Sequence, residues 1–479
     1  MTVRGVLPGA VLVGAALLAL SPAKAAELRP DQLEFRALYK ELVETNTTAS
    51  TGSCSLAAER MAARLKAAGY PDSDLTFFSD PQFPKDGGLV AVLHGSDAKA
   101  RGVLLLAHID VVEAKREDWV RDPFTLVEED GKFYGRGTTD DKTQAAIWTD
   151  TMVRLKQQGF KPKVTLKMAL TCGEEGGGGG RFNGAKWLTE NKRDLIDADF
   201  AINEGAAGLL DENGKPSAIT IQAGEKSARD YRLEITNAGG HSSRPVKDNA
   251  IYHLAHALVA IENHAFPVQF TDGSRAYFTG LSKQQAEKGN KDVADAMLAM
   301  LKDPSDSKDA EFVASKDPSW NATMRTTCVA TLLDGGHAVN ALPQRAGANI
   351  NCRIFPGIPG EQIRGELAAL IGDPAVKVIQ VTPEEPVGAA PPLTPKVVGP
   401  AEKLMAEMWP GVPVLPILQA GATDGRYLNA AGIPTYGIDG SFLDRELNHI
   451  HGLNEYAGVD SLYKDRDFLF RLVKLYVGK

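Results

Sequence analysis

The sequence predicts an α/β chain interrupted by a second, α+β unit, and three observations carry that prediction. Between residues 88 and 204 short apolar runs alternate with a helical pattern, the order of a sheet with helices on its faces. Polar groups, written HID, GEE and NEG, fall where the apolar runs end, and open α/β sheets bind ligands at the carboxyl ends of their strands. From about Arg229 the order becomes strand, helix, strand, strand, helix, strand, which describes a ferredoxin-like module. The first pattern resumes at Thr394. At 479 residues two domains or more are expected.

The chain opens on a segment that reads as targeting rather than fold. Arg4 gives a positive start, Val6 to Leu20 is apolar, and Ala23-Lys24-Ala25 fits the small-x-small cleavage rule. Residues 1–25 are therefore expected to be a cleaved signal peptide, with an uncleaved anchor as the alternative. The mature chain is expected in the periplasm or outside the cell, with no stable membrane anchor. Apolar residues make up 43% and charged residues 24%, with a formal net charge of -8. Those are the proportions of a soluble globular protein, and no Lys/Arg cluster marks a nucleic-acid partner. Of four cysteines, Cys328 and Cys352 lie on apparent neighbouring strands and are placed to pair. Cys54 and Cys172 are expected as single thiols, so disulfides are not expected to staple the fold.

Residues 28 to 65 read as helical with a polar interruption at 46–55, and Ser55 to Ala68 is an amphipathic helix stopped by Gly69 and Pro71. Strands are predicted from Gly88 and over Val103 to Ala107. A helix follows over Lys142 to Gln158, a strand over Val164 to Thr171, and a short strand at Phe200-Ala-Ile. In the second unit, strands are predicted over 231–236, 328–333, 346–354 and 376–382, with helices over 249–262 and 361–370. The stretch from His264 to Asn321 interrupts this module. It is rich in Lys, Asp and Ser, with one helix predicted over Asp292 to Leu301. A solvated decoration is one reading; its length favours a packed subdomain that shapes a cleft or an interface. A helix to Met405, strands near Val414 to Leu418 and Pro434 to Gly437, and a helix over Leu462 to Tyr476 complete the chain. The expected division is a catalytic domain over 26–228 and 386–479, split by a lid over 229–385.

Five groups at predicted strand exits or in Gly-rich loops offer nitrogen and oxygen donors: His108, Asp140, Glu175, Glu204 and His451. Such donors suit borderline or hard divalent cations. Five exceed what one catalytic zinc takes, whereas two metals sharing a carboxylate use them all. Asp110 is placed to accept from the other ring nitrogen of His108. The adjacent Glu174 and Glu175 are costly together unless a cation neutralises one and the other carries a proton. One is therefore expected to ligate metal and the other to act as general base. The glycines from Gly176 to Gly180 let backbone approach the site; a floppy loop is the alternative. Isolated acidic residues are common in long chains, so spacing alone leaves the five unproven.

The ordered series HID, GRGTTDDK, CGEEGG, DADFAINEG, EKSARD, GGHSSRP, NALPQRAGANINCRIFPG and HGLNE resembles the two-zinc metallopeptidase family of aminoacylases, glutamate carboxypeptidases, dipeptidases and succinyl-diaminopimelate desuccinylases, the M20/M25/M40 type. The resemblance spans about residues 35 to 475, and the long lid insert is similar to the carboxypeptidase S-like subgroup. It implies a zinc-peptidase-like α/β catalytic domain with an inserted ferredoxin-like lid, which in the family often dimerises, so that a homodimer through the lid is one expectation. By motif, Asp140 resembles the ligand bridging two ions, with a cis peptide to Asp141. His108 and Glu204 would complete one ion and Glu175 and His451 the other; Zn2+ is implied, with Co2+ or Mn2+ as alternatives. Glu174 resembles the base acting on a water between the ions. His241 resembles the lid histidine that stabilises the oxyanion, and Asn340 and Arg353 the lid residues that hold substrate. His337, in GGHAVNALP just before Asn340, is read as a further substrate contact or as a residue that fills the lid. Asn351 departs from the Asp of many relatives, which puts the orientation of Arg353 in doubt.

The leading reading is a two-zinc carboxypeptidase or dipeptidase acting on small peptides with a free carboxylate. The second is an N-acyl amino acid hydrolase of the same mechanism, an aminoacylase. The third is a catalytically inactive amino-acid-binding protein, against which the intact Glu174 argues. A serine hydrolase is disfavoured because no G-x-S-x-G elbow occurs.

Overall fold

A computed structural model describes residues 28–176 and 182–478. The leader expected over 1–25 and most of the glycine run lie outside the described residues. Among those residues no helix is long and apolar enough to cross a membrane.

The first unit is built on a ten-stranded mixed sheet. Its centre is four parallel strands in the order Leu166–Thr171, Val103–His108, Phe200–Asn203 and Thr435–Ile438. Val103 to Ala107 is buried at every position, because helices cover both faces. Leu105 packs with Phe35, Tyr39 and Trp148 on one side, while Leu104 and Leu106 pack with Leu188 and Leu428 on the other. The first side is covered by helices Pro30–Val43, Cys54–Ala67, Lys142–Gln157 and Val459–Val477. Because the central strands run the same way, their carboxyl ends open on one edge. Strand Pro216–Glu225 adds to this sheet, with Val414–Gln419 parallel to it. Hydrophobic alternation does not mark Pro216–Glu225, since Thr220, Gln222 and Glu225 are buried polar residues within it.

The second unit is a four-stranded antiparallel sheet in the order Thr327–Gly335, Arg345–Ile354, Ser227–Thr236, Val376–Gln380. Helices Ala250–Glu262 and Gly360–Ile371 pack on it around Tyr231, Leu233, Ile350 and Leu367. Strand order and connectivity are those of the ferredoxin-like module read from the sequence. The insert holds four helices where the sequence suggested one: Asp272–Glu287, Lys291–Lys302, Ser307–Lys316 and Pro318–Met324. They share a core of their own, Phe278, Met297, Met300, Val313 and Met324.

The cysteine expectation needs correcting. All four are paired: Cys328 bonds Cys352, its direct partner across two antiparallel strands, and Cys54 bonds Cys172. Cys54 opens a helix and Cys172 follows a strand, 118 residues apart in sequence, yet their Cα atoms lie 6.1 Å apart. No periodicity in the sequence encodes that approach.

Candidate metal centre

Three of the four central strands deliver a polar group to the open sheet edge. His108 is the last residue of its strand, Glu204 follows Phe200–Asn203, and Glu174 and Glu175 follow Leu166–Thr171 after two residues. Asp140 comes from the turn before helix Lys142–Gln157, across a cis peptide to Asp141, and His451 from the loop before Tyr456–Gly458.

Asp140 lies at the middle of the cluster. Its Oδ1 is 3.0 Å from His108 Nε2 and its Oδ2 is 3.1 Å from His451 Nε2. On the first side, Glu204 Oε1 is 3.7 Å from His108 Nε2. On the second, Glu175 is 3.0 Å from His451 Nε2. Donor atoms of His108, Glu174 and Glu204 lie within 4.8 Å of one another, as do those of His108, Asp140 and Glu175. Asp110 serves both halves. Its carbonyl oxygen lies 3.1 Å from His108 Nδ1 and its carboxylate 3.5 Å away. The same carboxylate accepts the backbone N–H of Glu175 at 3.0 Å and of Glu174 at 3.4 Å. It is thus the main-chain oxygen that approaches the ring most closely, while the carboxylate holds the glutamate loop.

The charge balance is one-sided. Asp110, Asp140, Asp141, Glu174, Glu175 and Glu204 face two histidines. Burial pushes the Glu174 carboxyl up to about 8, with Asp424, Glu175 and Asp110 adding to it against His108. Burial likewise holds Glu204 and Asp141 well above the usual carboxylate range. Asp140 and Glu175 hold the His451 imidazolium up to about 10. For His108, burial opposes protonation, but Asp110, Asp140 and Glu204 outweigh it. Carboxylates and imidazoles packed this closely fit divalent cations by donor type and by charge, with Asp140 able to give one oxygen to each of two ions.

Two residues not singled out in the sequence hold the centre together. Glu455, fully buried, accepts the backbone N–H of Thr139 at 2.8 Å, of Asp140 at 3.1 Å and of Gly137 at 3.1 Å. Arg136 pairs with Glu455 at 2.7 Å and donates to the carbonyl of Gly452 at 2.9 Å. The Arg136–Glu455 pair therefore joins the Asp140 turn to the His451 loop. That loop needs the support: Leu447, Asn448, His449, His451 and Asn454 all have φ between 50° and 60°, a left-handed backbone costly for side-chain-bearing residues. The signal was present as the Arg of GRG and the Glu of HGLNE, but only the fold joins residues 319 positions apart.

The lid residues stand apart. His241 is exposed on the two-residue strand Gly240–His241, its Nδ1 accepting from Ser243 Oγ at 2.8 Å. Asn340 gives its carbonyl to Ser242 N–H at 3.0 Å, and His337 is exposed nearby. Arg353 lies on strand Arg345–Ile354, opposite Ala228 and Thr327. Asn351 turns to Asp230 at 3.0 Å. None of His241, His337, Asn340 and Arg353 lines the cleft that opens on Asp140, Glu204 and His451.

The profile of Peptidase family M20/M25/M40 matches residues 104–475. The chain belongs to that family. As a member, it is a hydrolase acting on peptide or amide bonds. It is 29% identical over 387 residues to a probable carboxypeptidase S-like 2 of Dictyostelium discoideum, covering 79% of this chain and 72% of that one. It is 28% identical over 414 residues to the N-fatty-acyl-amino acid synthase/hydrolase PM20D1 of Homo sapiens, covering 85% and 80%. The fold is similar to the M20 family metallo-carboxypeptidase Sso-CP2 from Sulfolobus solfataricus, with TM-score 0.66 at 18% identity over 92% of this chain and 99% of that one. It is also similar to the Bacillus subtilis YXEP protein, described as a dinuclear metal binding peptidase from the M20 family, with TM-score 0.56 at 13% identity over 93% and 98%. M20 enzymes share this catalytic domain with an inserted lid.

Proposed function

We propose that this M20 hydrolase cleaves the amide bond of a small peptide carrying a free carboxylate, as a carboxypeptidase or dipeptidase, at a centre holding two divalent ions. The observation that carries this reading is Asp140, whose two oxygens each face a different histidine. His108 and Glu204 would hold one ion, Glu175 and His451 the other, and Asp140 both, with Asp141 beside it touching neither. The donor set suits Zn2+, with Co2+ or Mn2+ as alternatives. Bound there, such ions supply positive charge that polarises a carbonyl and acidifies water.

Glu174 does the proton work in this reading. It receives a proton from the attacking water and passes it to the amine as the C–N bond breaks, leaving an acid and an amine. Burial among carboxylates raises its affinity for that proton. His241 would stabilise the oxyanion, and Arg353 would grip the substrate carboxylate, with Asn340 and His337 as further contacts. These lid groups lie outside the cleft of their own chain, which favours a homodimer in which the lid serves the partner's centre. The lid edge strand is suited to such contact, since Val329, Leu332 and Leu333 are at least 60% exposed on it. Two disulfides favour an oxidising compartment, periplasmic or extracellular.

Glu174→Ala tests the role of Glu174 directly. Turnover is expected to fall by at least 100-fold, the scale of a general base, while metal content stays near that of the parent. Retained turnover, or loss of both metals, contradicts the assignment. A second reading, N-acyl amino acid hydrolase, is favoured by the size of the cleft, about 1150 Å3. A screen of dipeptides against N-acyl amino acids on metal-quantified protein separates the two.

A further inference from the structure

The cleft is not walled by the catalytic domain alone. Helix Asp272–Glu287, the first of the insert, lies against strands Pro216–Glu225 and Val414–Gln419 of the catalytic sheet. Two glycines explain how closely. A Cβ on Gly273 would stand 3.0 Å from the Ala223 carbonyl oxygen and 3.2 Å from that of Ile417. One on Gly280 would stand 2.7 Å from Leu415 Cδ2. Seven residues is about two helical turns, so both glycines lie on one face. The insert is seated on the catalytic domain by this face, and its own core of Phe278, Met297 and Met300 stiffens it from behind.

Tyr277, Leu281 and Gln284 follow at helical spacing and line the cleft. Leu209, Leu415 and Ile417 of the catalytic sheet line the same cleft. The same cleft is lined by Asp140, Glu204 and His451 of the centre, by this apolar group, and by Glu287 and Lys288 one turn beyond Gln284. From Tyr277 to Gln284 the helix rises about 10 Å, room for an extended group of several carbons.

We propose that the insert helix is the specificity wall of this enzyme. Tyr277 and Leu281, with Leu415 and Ile417, form an apolar subsite for an aliphatic or aromatic group on the acyl side of the scissile amide. The acyl side is chosen because this stretch offers no cation to a carboxylate, which the lid Arg353 is proposed to hold. The subsite rests on the amide-hydrolase reading above and refines it: small N-terminal or acyl groups leave the wall uncovered, whereas long apolar ones bury it.

The test uses full-length, metal-loaded enzyme and N-acyl derivatives of one amino acid, from acetyl to decanoyl. Wild-type kcat/KM should rise roughly 3- to 4-fold per methylene until the wall is covered. Tyr277→Ser should lower kcat/KM for the octanoyl member at least 10-fold and change the acetyl member less than 2-fold, with metal content unchanged. Gln284→Trp, at a partly exposed position, should shorten the longest chain accepted. A flat length series, or equal losses on acetyl and octanoyl substrates in both variants, overturns the subsite while leaving the hydrolase reading intact. No turnover of any member, or of any dipeptide, removes the hydrolase reading and the subsite with it.

Discussion

Glu455 shows how much of the centre depends on a residue that touches no reacting group. Its carboxylate accepts three backbone N–H groups of the turn carrying Asp140 and pairs with Arg136. Burial still pushes its carboxyl up despite Arg136, so the pair is costly to place in the interior and costlier to break. Glu455→Ala is expected to lower stability by about 3–5 kcal/mol and to weaken metal binding by freeing both the Asp140 turn and the His451 loop. Denaturant unfolding with metal quantification checks this; parental stability with full metal content contradicts it. At this scale the sequence was readable where a residue sits at a strand exit, as His108, Glu175 and Glu204 do. It was unreadable where two residues meet only through the fold, as Arg136 and Glu455 do.

Among the elements, the loop after strand Leu166–Thr171 is fixed from two directions. Asp110 holds its backbone N–H groups, and the disulfide from Cys172 ties it to the first turn of helix Cys54–Ala67. Closing a loop of 118 residues restricts the unfolded chain by about 4–5 kcal/mol in the chain-entropy account. Cys54→Ser with Cys172→Ser is expected to lower unfolding free energy by a comparable amount, or by less where the unfolded chain keeps structure. Unchanged stability would mean that the pair is not bonded in the protein. Most catalytic-domain and lid elements were legible because their apolar periods are clean, as in Val103–His108 and Ala250–Glu262. The insert was not, because the apolar stripe of Asp272–Glu287 is interrupted by Gly273 and Gly280, the residues that seat it on the sheet.

For the whole molecule, a parallel sheet centre aims its strand exits at one edge, and that geometry turns dispersed letters into a single site. The helical insert closes one side of the resulting cleft, while His241 and Arg353 of the lid do not line it. The homodimer proposed above would complete the site with a second copy, a point beyond the reach of strand and helix patterns in one sequence. The family match and the spatial cluster agree on a metal-dependent hydrolase; what they leave to measurement is the pair of ions and the carboxylate between them. Crystals of metal-loaded protein, with diffraction recorded on both sides of the zinc absorption edge, address that most directly. Two anomalous peaks per chain, with one Asp140 oxygen on each and Asp141 on neither, are the predicted result. A single peak, or two peaks with Asp140 bound to only one, would contradict the account.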